Sequence, residues 1–327
     1  MPTERFDAFV ERALYDPERG FYAAGGQAGR RGDFLTSPEV GPLFGAVVAR
    51  ALDTWWHDLD EPDPFTVVEA GAGPGTLART VLTAAPDCAR VLRYVTVERA
   101  AAQRGQHPDG VESRADLPRG PLTGVVLANE LLDNVPFRLV ERTADGWLEV
   151  WVEDGEEVLV PLDGPVPPVL AALDAPIGAR LPVQERAAGW LADALALVER
   201  GRVVVVDYAD TTPSMAGRPQ HEWLRTYRGH DRGGDPLADP GAQDVTVEVA
   251  VDQLAAVRPP DEDRTQAAFL RAHGIDELVE EGRRTWAERA HLGDLAAIRA
   301  RSRVTEAEAL LDPTGLGAFR VLEWAVS

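Results

Sequence analysis

The stretch "FTVVEAGAGPGTLARTVL", residues 65–82, constrains this chain more than any other. A buried strand ends at Glu69. Gly71, Gly73 and Gly75 then let the backbone turn tightly and come close to a ligand, with Ala72 inside the turn and Thr76 opening a helix. A strand that feeds a helix through such a turn belongs to α/β sheets whose ligands lie outside the carboxyl ends of the strands.

The rest of the chain keeps that rhythm. "YVTVE" (94–98), "GVVLAN" (124–129) and "RVVVVDY" (202–208) are Val-rich runs bounded by turn residues, with helical segments at about 76–85, 99–104 and 186–200 between them. Alternation of this kind predicts an α/β fold, a doubly wound, mostly parallel sheet with helices on both faces. Ahead of it, residues 3–15 place Phe6, Phe9, Val10, Ala13 and Leu14 at helical spacing, and a second helix runs from about Pro42 to Trp56. Residues 1–64 are therefore expected to form an N-terminal helical extension and residues 65–327 the main domain. Two segments interrupt it: 137–161 alternates apolar and polar around Asp-Gly turns and reads as an antiparallel meander, and 210–244 reads as a long polar, lid-like loop. Beyond the loop, "VTVEVAV" reads as a strand, 265–301 as helical, and "AFRVLEWAV" as a closing edge strand.

The glycine spacing is G-x-G-x-G, not the dinucleotide pattern G-x-G-x-x-G, and Glu69 stands two residues before the first glycine. A carboxylate there repels phosphates and suits a ligand with an ammonium group, such as S-adenosyl-L-methionine (SAM). Glu98 ends the next strand, where a doubly wound fold places the acid that accepts both ribose hydroxyls. Asp116, followed by Leu117 in "SRADLP", falls near the end of the third unit, within reach of an adenine amino group. Each acid alone is also compatible with ordinary solvation of a strand end.

Bulk chemistry narrows the remaining classes. Lys and Arg total 33 against 54 Asp and Glu, and a net charge of -21 repels phosphate backbones, so neither nucleic acid nor an anionic membrane is an expected partner. No run of roughly 18 apolar residues spans a membrane. The charged N-terminus lacks a secretory run, and one cysteine, Cys88, excludes an internal disulfide or a Cys-cluster zinc site. A cytoplasmic location and no metal are expected.

In order along the chain, "YDPERGFY", "GDFLTSPEVGPLFG", "VVEAGAGPGTL", "ANELLDNVPFRLV", "RVVVVDY", "YRGH", "DVTVEV", "TQAAFL" and "GLGAFRVL" resemble the MidA/DUF185 family of class I SAM-dependent methyltransferases. That family's mitochondrial member is a complex I assembly factor and protein-arginine methyltransferase. The resemblance implies a Rossmann-like class I methyltransferase fold. It also implies that "GDFLTSPE" folds over the cofactor, with Asp33, Thr36, Ser37 and Glu39 at its methionine end. Thr36 and Ser37 can donate to a carboxylate, although Ser37 before Pro38 and Glu39 is also a helix start. The chain departs from the family in Pro74 within the glycine turn, in Pro42, and in "EWLRTYRGH" and "DYAD". The last two lie on the acceptor side.

At the end of the fourth strand, Asn129 and Glu130 are expected to face the sulfonium and the acceptor. Glu130 and Asp133 can clamp a guanidinium, whose charge must be localised on the nitrogens that do not attack, with Glu39 as a third acid. Equally, Asp133 can cap the following turn and Glu130 can contact cofactor alone. His230 in "TYRGHD" is a candidate base, and Tyr208 can line the acceptor pocket or pack beneath the loop. The expected acceptor is a protein side chain, arginine by resemblance. The alternatives are a small-molecule N- or O-methyltransferase, a non-catalytic assembly factor and, more remotely, an NAD enzyme.

Overall fold

The structure is a computed structural model that describes residues 3–23, 36–228 and 231–327. Its main sheet has seven strands: β1 (Phe65–Ala70), β2 (Leu92–Val97), β3 (Glu112–Arg114), β4 (Leu122–Asn129), β5 (Val198–Asp207), β6 (Glu262–Thr265) and β7 (Arg320–Val326). Their order is β6-β7-β5-β4-β1-β2-β3. The five strands from β5 to β3 are parallel, whereas β7 runs antiparallel to both β5 and β6. Strands β1, β2 and β3 build outward on one side, and the chain then crosses to lay β4 on the other side of β1. The crevice left by that reversal is where such a sheet binds ligands.

Side chains alternate across the sheet with the strand's period of two. Val67, Val125 and Val204 face one core, shared with Leu43, Val47 and Leu52 of helix α2 (Pro42–Asp58) and Leu77 and Val81 of α3 (Thr76–Ala84). Val68, Val126 and Val205 face the other, with Leu191 and Ala194 of α4 (Glu185–Leu197) and Trp324. Burial on both faces explains why these strands read as continuous valine runs. Each such side chain contributes roughly 1.5–3 kcal/mol by leaving water.

The interrupting meander is a sheet of its own. Arg138–Thr143, Gly146–Glu153 and Glu156–Pro161 pair antiparallel, and Arg180–Val183 and Glu4–Arg5 join them. Helix α1 (Phe6–Tyr15) buries Phe6, Phe9 and Leu14 against Phe137, Leu139 and Val150 of this insert. The first 64 residues thus divide: α1 packs with the insert, and α2 with the main sheet.

Two expectations need correction. The closing strand is not an edge, because β7 lies between β5 and β6. Residues Glu262–Thr265, "EDRT", form the edge strand, and an edge exposed to water carries no apolar signature by which to find it. Nor is 210–244 a structureless loop. Leu224–Arg228 pairs with Asp244–Val247, and helical turns Thr212–Ala216 and Gln220–Trp223 bury Met215 and Trp223 in the insert's core. A short helical turn, Ser37–Val40, precedes α2, which starts at Pro42 as its fixed φ favours.

Candidate functional site: a cleft and a cavity joined at Glu130

The glycine turn sits at the carboxyl end of β1. Gly71, Gly73 and Gly75 take φ of 70°, 52° and 77°, which side-chain-bearing residues adopt only with strain. Space agrees with conformation: a Cβ on Gly71 would stand 2.9 Å from Leu131, and one on Gly75 2.9 Å from Pro108. The turn is tied to β2, since the N–H groups of Gly71 and Ala72 both donate to the Val97 carbonyl. Pro74 withdraws no bond from this arrangement, because its neighbours Gly73 and Gly75 donate to Glu98 Oε2 and the Ala72 carbonyl.

A cleft of about 570 Å³ opens over the turn, a size that suits a cofactor-sized ligand. Of the residues expected to hold a cofactor, Thr36, Glu39, Glu69, Gly71, Ala72, Gly73, Glu98, Asp116, Leu117, Asn129 and Glu130 line it. Gly75 is not at its wall. It sets the left-handed step into α3. Ser37 is placed differently from expectation: fully buried, its hydroxyl donates to Gln266 Oε1 at 2.9 Å, and its backbone N–H donates to Glu130 Oε1 at 3.0 Å. Asp33 and His230 lie outside the described residues.

The acids along the cleft differ in what occupies them. Glu69 is buried and accepts the Tyr94 hydroxyl at 2.7 Å, and desolvation pushes its pKa up to about 7. Glu98 accepts the N–H groups of Gly73 and Ala100, so it holds the turn from beneath. Glu39 accepts the Thr76 hydroxyl at the mouth of α3. Asp116 is exposed on the rim.

Glu130 follows β4 with φ of 51°, a left-handed conformation in a residue that is not glycine. Strain of that kind persists where surrounding bonds over-determine it. Here its N–H donates to the Val206 carbonyl at 2.8 Å, while Ser37 N–H and Asn129 Nδ2 both donate to Oε1. Burial raises its pKa to about 8.

On the far side of Glu130 lies a second cavity of about 370 Å³, lined by Asp133, Tyr208, Tyr227, Asp244, Glu248 and Phe319, among others. Among the described residues, Glu130 alone lines both spaces. Asp133 sits in the turn Leu132–Asn134, which Asp207 holds by accepting the N–H groups of Leu132 and Asp133. Asp133 is therefore not the cap of that turn. Its Oδ2 accepts the Thr246 hydroxyl at 2.6 Å, its Oδ1 is buried with no hydrogen-bond partner, and burial pushes its pKa up to about 6. Asp244, bonded by Asn134 Nδ2, is likewise raised by burial to about 8. Glu248 is neutralised by Arg218 and Arg225.

Several lining residues escaped the sequence. Tyr15 and Tyr22 stack and donate to the Asn134 carbonyl and Asn134 Oδ1, closing the cleft from the N-terminal side. Both stand in "YDPERGFY", a motif whose only sequence signal was resemblance. Trp190 reaches the cleft from α4 with no local signal at all. Thr246 and Asp207 read as ordinary strand residues.

Comparison with known proteins settles the family. A model described as "Putative S-adenosyl-L-methionine-dependent methyltransferase" matches residues 47–263. The chain belongs to this methyltransferase family. Among similar proteins, it is 28% identical over 288 residues to the mitochondrial protein arginine methyltransferase NDUFAF7 homolog of Drosophila melanogaster, covering 74% of this chain and 63% of that one. It is 27% identical over 323 residues to the mitochondrial protein arginine methyltransferase NDUFAF7 of Danio rerio, covering 83% of this chain and 73% of that one. A crystal structure of a COG1565 superfamily member from Burkholderia thailandensis, bound to S-adenosyl-homocysteine, superimposes with a TM-score of 0.81 at 27% identity over 99% of this chain and 88% of that chain. The doubly wound α/β sheet expected from the strand and helix rhythm, and the methyltransferase fold that the resemblance implies, are those found.

Proposed function

We propose that this SAM-dependent methyltransferase transfers its methyl group to an arginine side chain of a protein. The observation that carries the reading is the junction at Glu130: one carboxylate borders both the cofactor cleft and a separate acid-lined cavity. The cleft suits SAM chemically. Bare glycine backbone admits a close ligand, while Glu69 and Glu39 offer acceptors to an ammonium group and Asp116 to an adenine amino group. When bound, SAM supplies an electrophilic methyl carbon on a sulfonium whose electron pair stays with sulfur as the bond to carbon breaks.

The chain's own residues then do the rest. A guanidinium in the cavity meets Asp133 and Asp244 as acceptors, with the rings of Tyr208, Tyr227 and Phe319 as faces for a planar cation. Glu130 takes the proton that the attacking nitrogen must lose as its lone pair forms the new bond to carbon. Its pKa of about 8 suits a base working near neutral pH. The left-handed backbone and the two donors on Oε1 hold the carboxylate still, so that alignment costs nothing further during transfer. The relatives named above as arginine methyltransferases support the acceptor class.

Incubation of the full chain with methyl-labelled SAM, first with arginine-containing peptides and then with source-cell lysate, tests the proposal. Label recovered as methylarginine supports it. Label confined to small molecules, or to residues other than arginine, overturns the acceptor assignment. We also propose a cytoplasmic location, motivated by the buried, unpaired Cys88; cell fractionation that finds the protein elsewhere overturns it.

A further inference from the structure

The acceptor cavity contains a chain of hydroxyls that the transfer step as described does not use. The Thr246 hydroxyl donates its proton to Asp133 Oδ2, so toward Tyr208 it acts as acceptor, and the Tyr208 hydroxyl donates to it. All three residues line the cavity. The Tyr208 ring is fixed by Phe319, 5.6 Å between centroids, and by the Arg225 guanidinium, 5.3 Å above it. Thr246 is 2% exposed and sits in a strand register opposite Arg225. Neither hydroxyl therefore wanders. The result is a carboxylate with one oxygen committed and the other, Oδ1, buried and unpartnered.

We propose that Tyr208 and Thr246 are positioning residues, a hydroxyl pair that fixes Asp133 with Oδ1 free and keeps it ionised to receive a cationic acceptor. The inference rests on the arginine reading above and deepens it. Its physical basis is that Asp133 is buried among other ionisable groups. Glu130 from the end of β4, Asp207 from the end of β5 and Asp244 from the neighbouring strand all face it. So do the phenols of Tyr15 and Tyr22 from the N-terminal segment, and Tyr227 and Arg225 complete the wall. Desolvation favours a proton on Asp133, and the hydroxyl pair opposes it by hydrogen bonding to the charged form. Without the pair, a guanidinium would meet a neutral, freely turning carboxyl group.

Two measurements on full-length Thr246→Val and Tyr208→Phe test this. The first needs no acceptor: the carboxyl carbons of aspartate are labelled with carbon-13, the Asp133 resonance is identified by its loss in Asp133→Asn, and its titration midpoint is followed. An upward shift of about one pH unit in each variant supports the pair, and an unmoved midpoint overturns it. The second uses an arginine peptide that the wild type methylates. The expected result is a KM raised about five- to tenfold, with kcat above pH 8 within about threefold of wild type and S-adenosyl-homocysteine affinity unchanged. Thr246→Ser keeps the hydroxyl and should restore both readouts. A serine variant that behaves like valine shows that packing, not hydrogen bonding, matters, and overturns the proposal. Failure of the wild type to methylate arginine would sink the arginine reading alone, because the titration decides the hydroxyl pair by itself.

Discussion

The cleft and the cavity that meet at Glu130 are built in opposite ways. The cleft takes its floor from one continuous stretch, strand, glycine turn and helix, and its acids from the ends of successive parallel strands. The cavity is assembled from β4 and its following turn, the end of β5, two strands of the 210–247 segment, and the approach to β7. A ligand common to a whole family can be met by local backbone geometry. An acceptor that varies must be met by side chains carried on separate insertions, because those change without disturbing the sheet.

That contrast can be broken most directly at the turn. Gly71→Val demands a left-handed conformation of a β-branched residue and a Cβ 2.9 Å from Leu131, so S-adenosyl-homocysteine affinity should fall by about 100-fold or more in calorimetry, with acceptor affinity lost alongside. Undiminished binding would show that the turn does not carry the cofactor. Glu130→Gln works on the junction. Turnover should drop by about 10² to 10³ while S-adenosyl-homocysteine affinity stays within about threefold, and equal losses in both would place Glu130 in the cleft alone.

Titration sharpens the comparison on the cavity side. Glu130 and Asp133, raised by burial to about 8 and about 6, must ionise to act, so kcat/KM should climb between pH 6 and 8. A bound guanidinium favours the charged forms, and the midpoint in kcat should lie lower than that in kcat/KM. Stability should move the other way. A carboxyl whose folded pKa exceeds its unfolded value of about 4 holds its proton more tightly in the folded chain, so its contribution is complete below pH 4 and is lost as pH rises through the folded value. Melting temperature should fall by a few degrees from pH 5 to 8, and Asp244→Asn, which removes a group raised to about 8, should flatten that slope. A melting curve indifferent to pH would refute the buried acid cluster. The smallest effect is expected at the cleft's N-terminal wall: Tyr22→Phe removes the hydroxyl's bonds to Asn134 and Asp244 and should cost about 1 kcal/mol in denaturant unfolding, with KM changed less than about fivefold.

Legibility followed the same division. Valine runs buried on both faces and the glycine turn were readable because their physics is local, a period along the chain and a backbone that only glycine adopts. Asp116 and Glu98 could be found because strand ends in a doubly wound sheet converge, whereas Glu39, in the helical turn before α2, was reachable only through the resemblance. Ser37 could not be assigned correctly: its hydroxyl turned to Gln266, a partner 229 residues away. The edge strand Glu262–Thr265 stayed hidden because its polar sequence looks like a loop until β7 pairs with it.

By itself, then, the sequence determined the α/β sheet, the turn at its carboxyl edge and the acids ranged along it, since each depends on residues near one another in the chain. Only the tertiary structure decided that Glu130 stands between two spaces and that Asp133 answers to Thr246 and Tyr208 and not to its own turn. The reason is that a carboxylate's charge, direction and proton depend on what surrounds it in three dimensions, and those neighbours arrive from segments more than 70 residues apart.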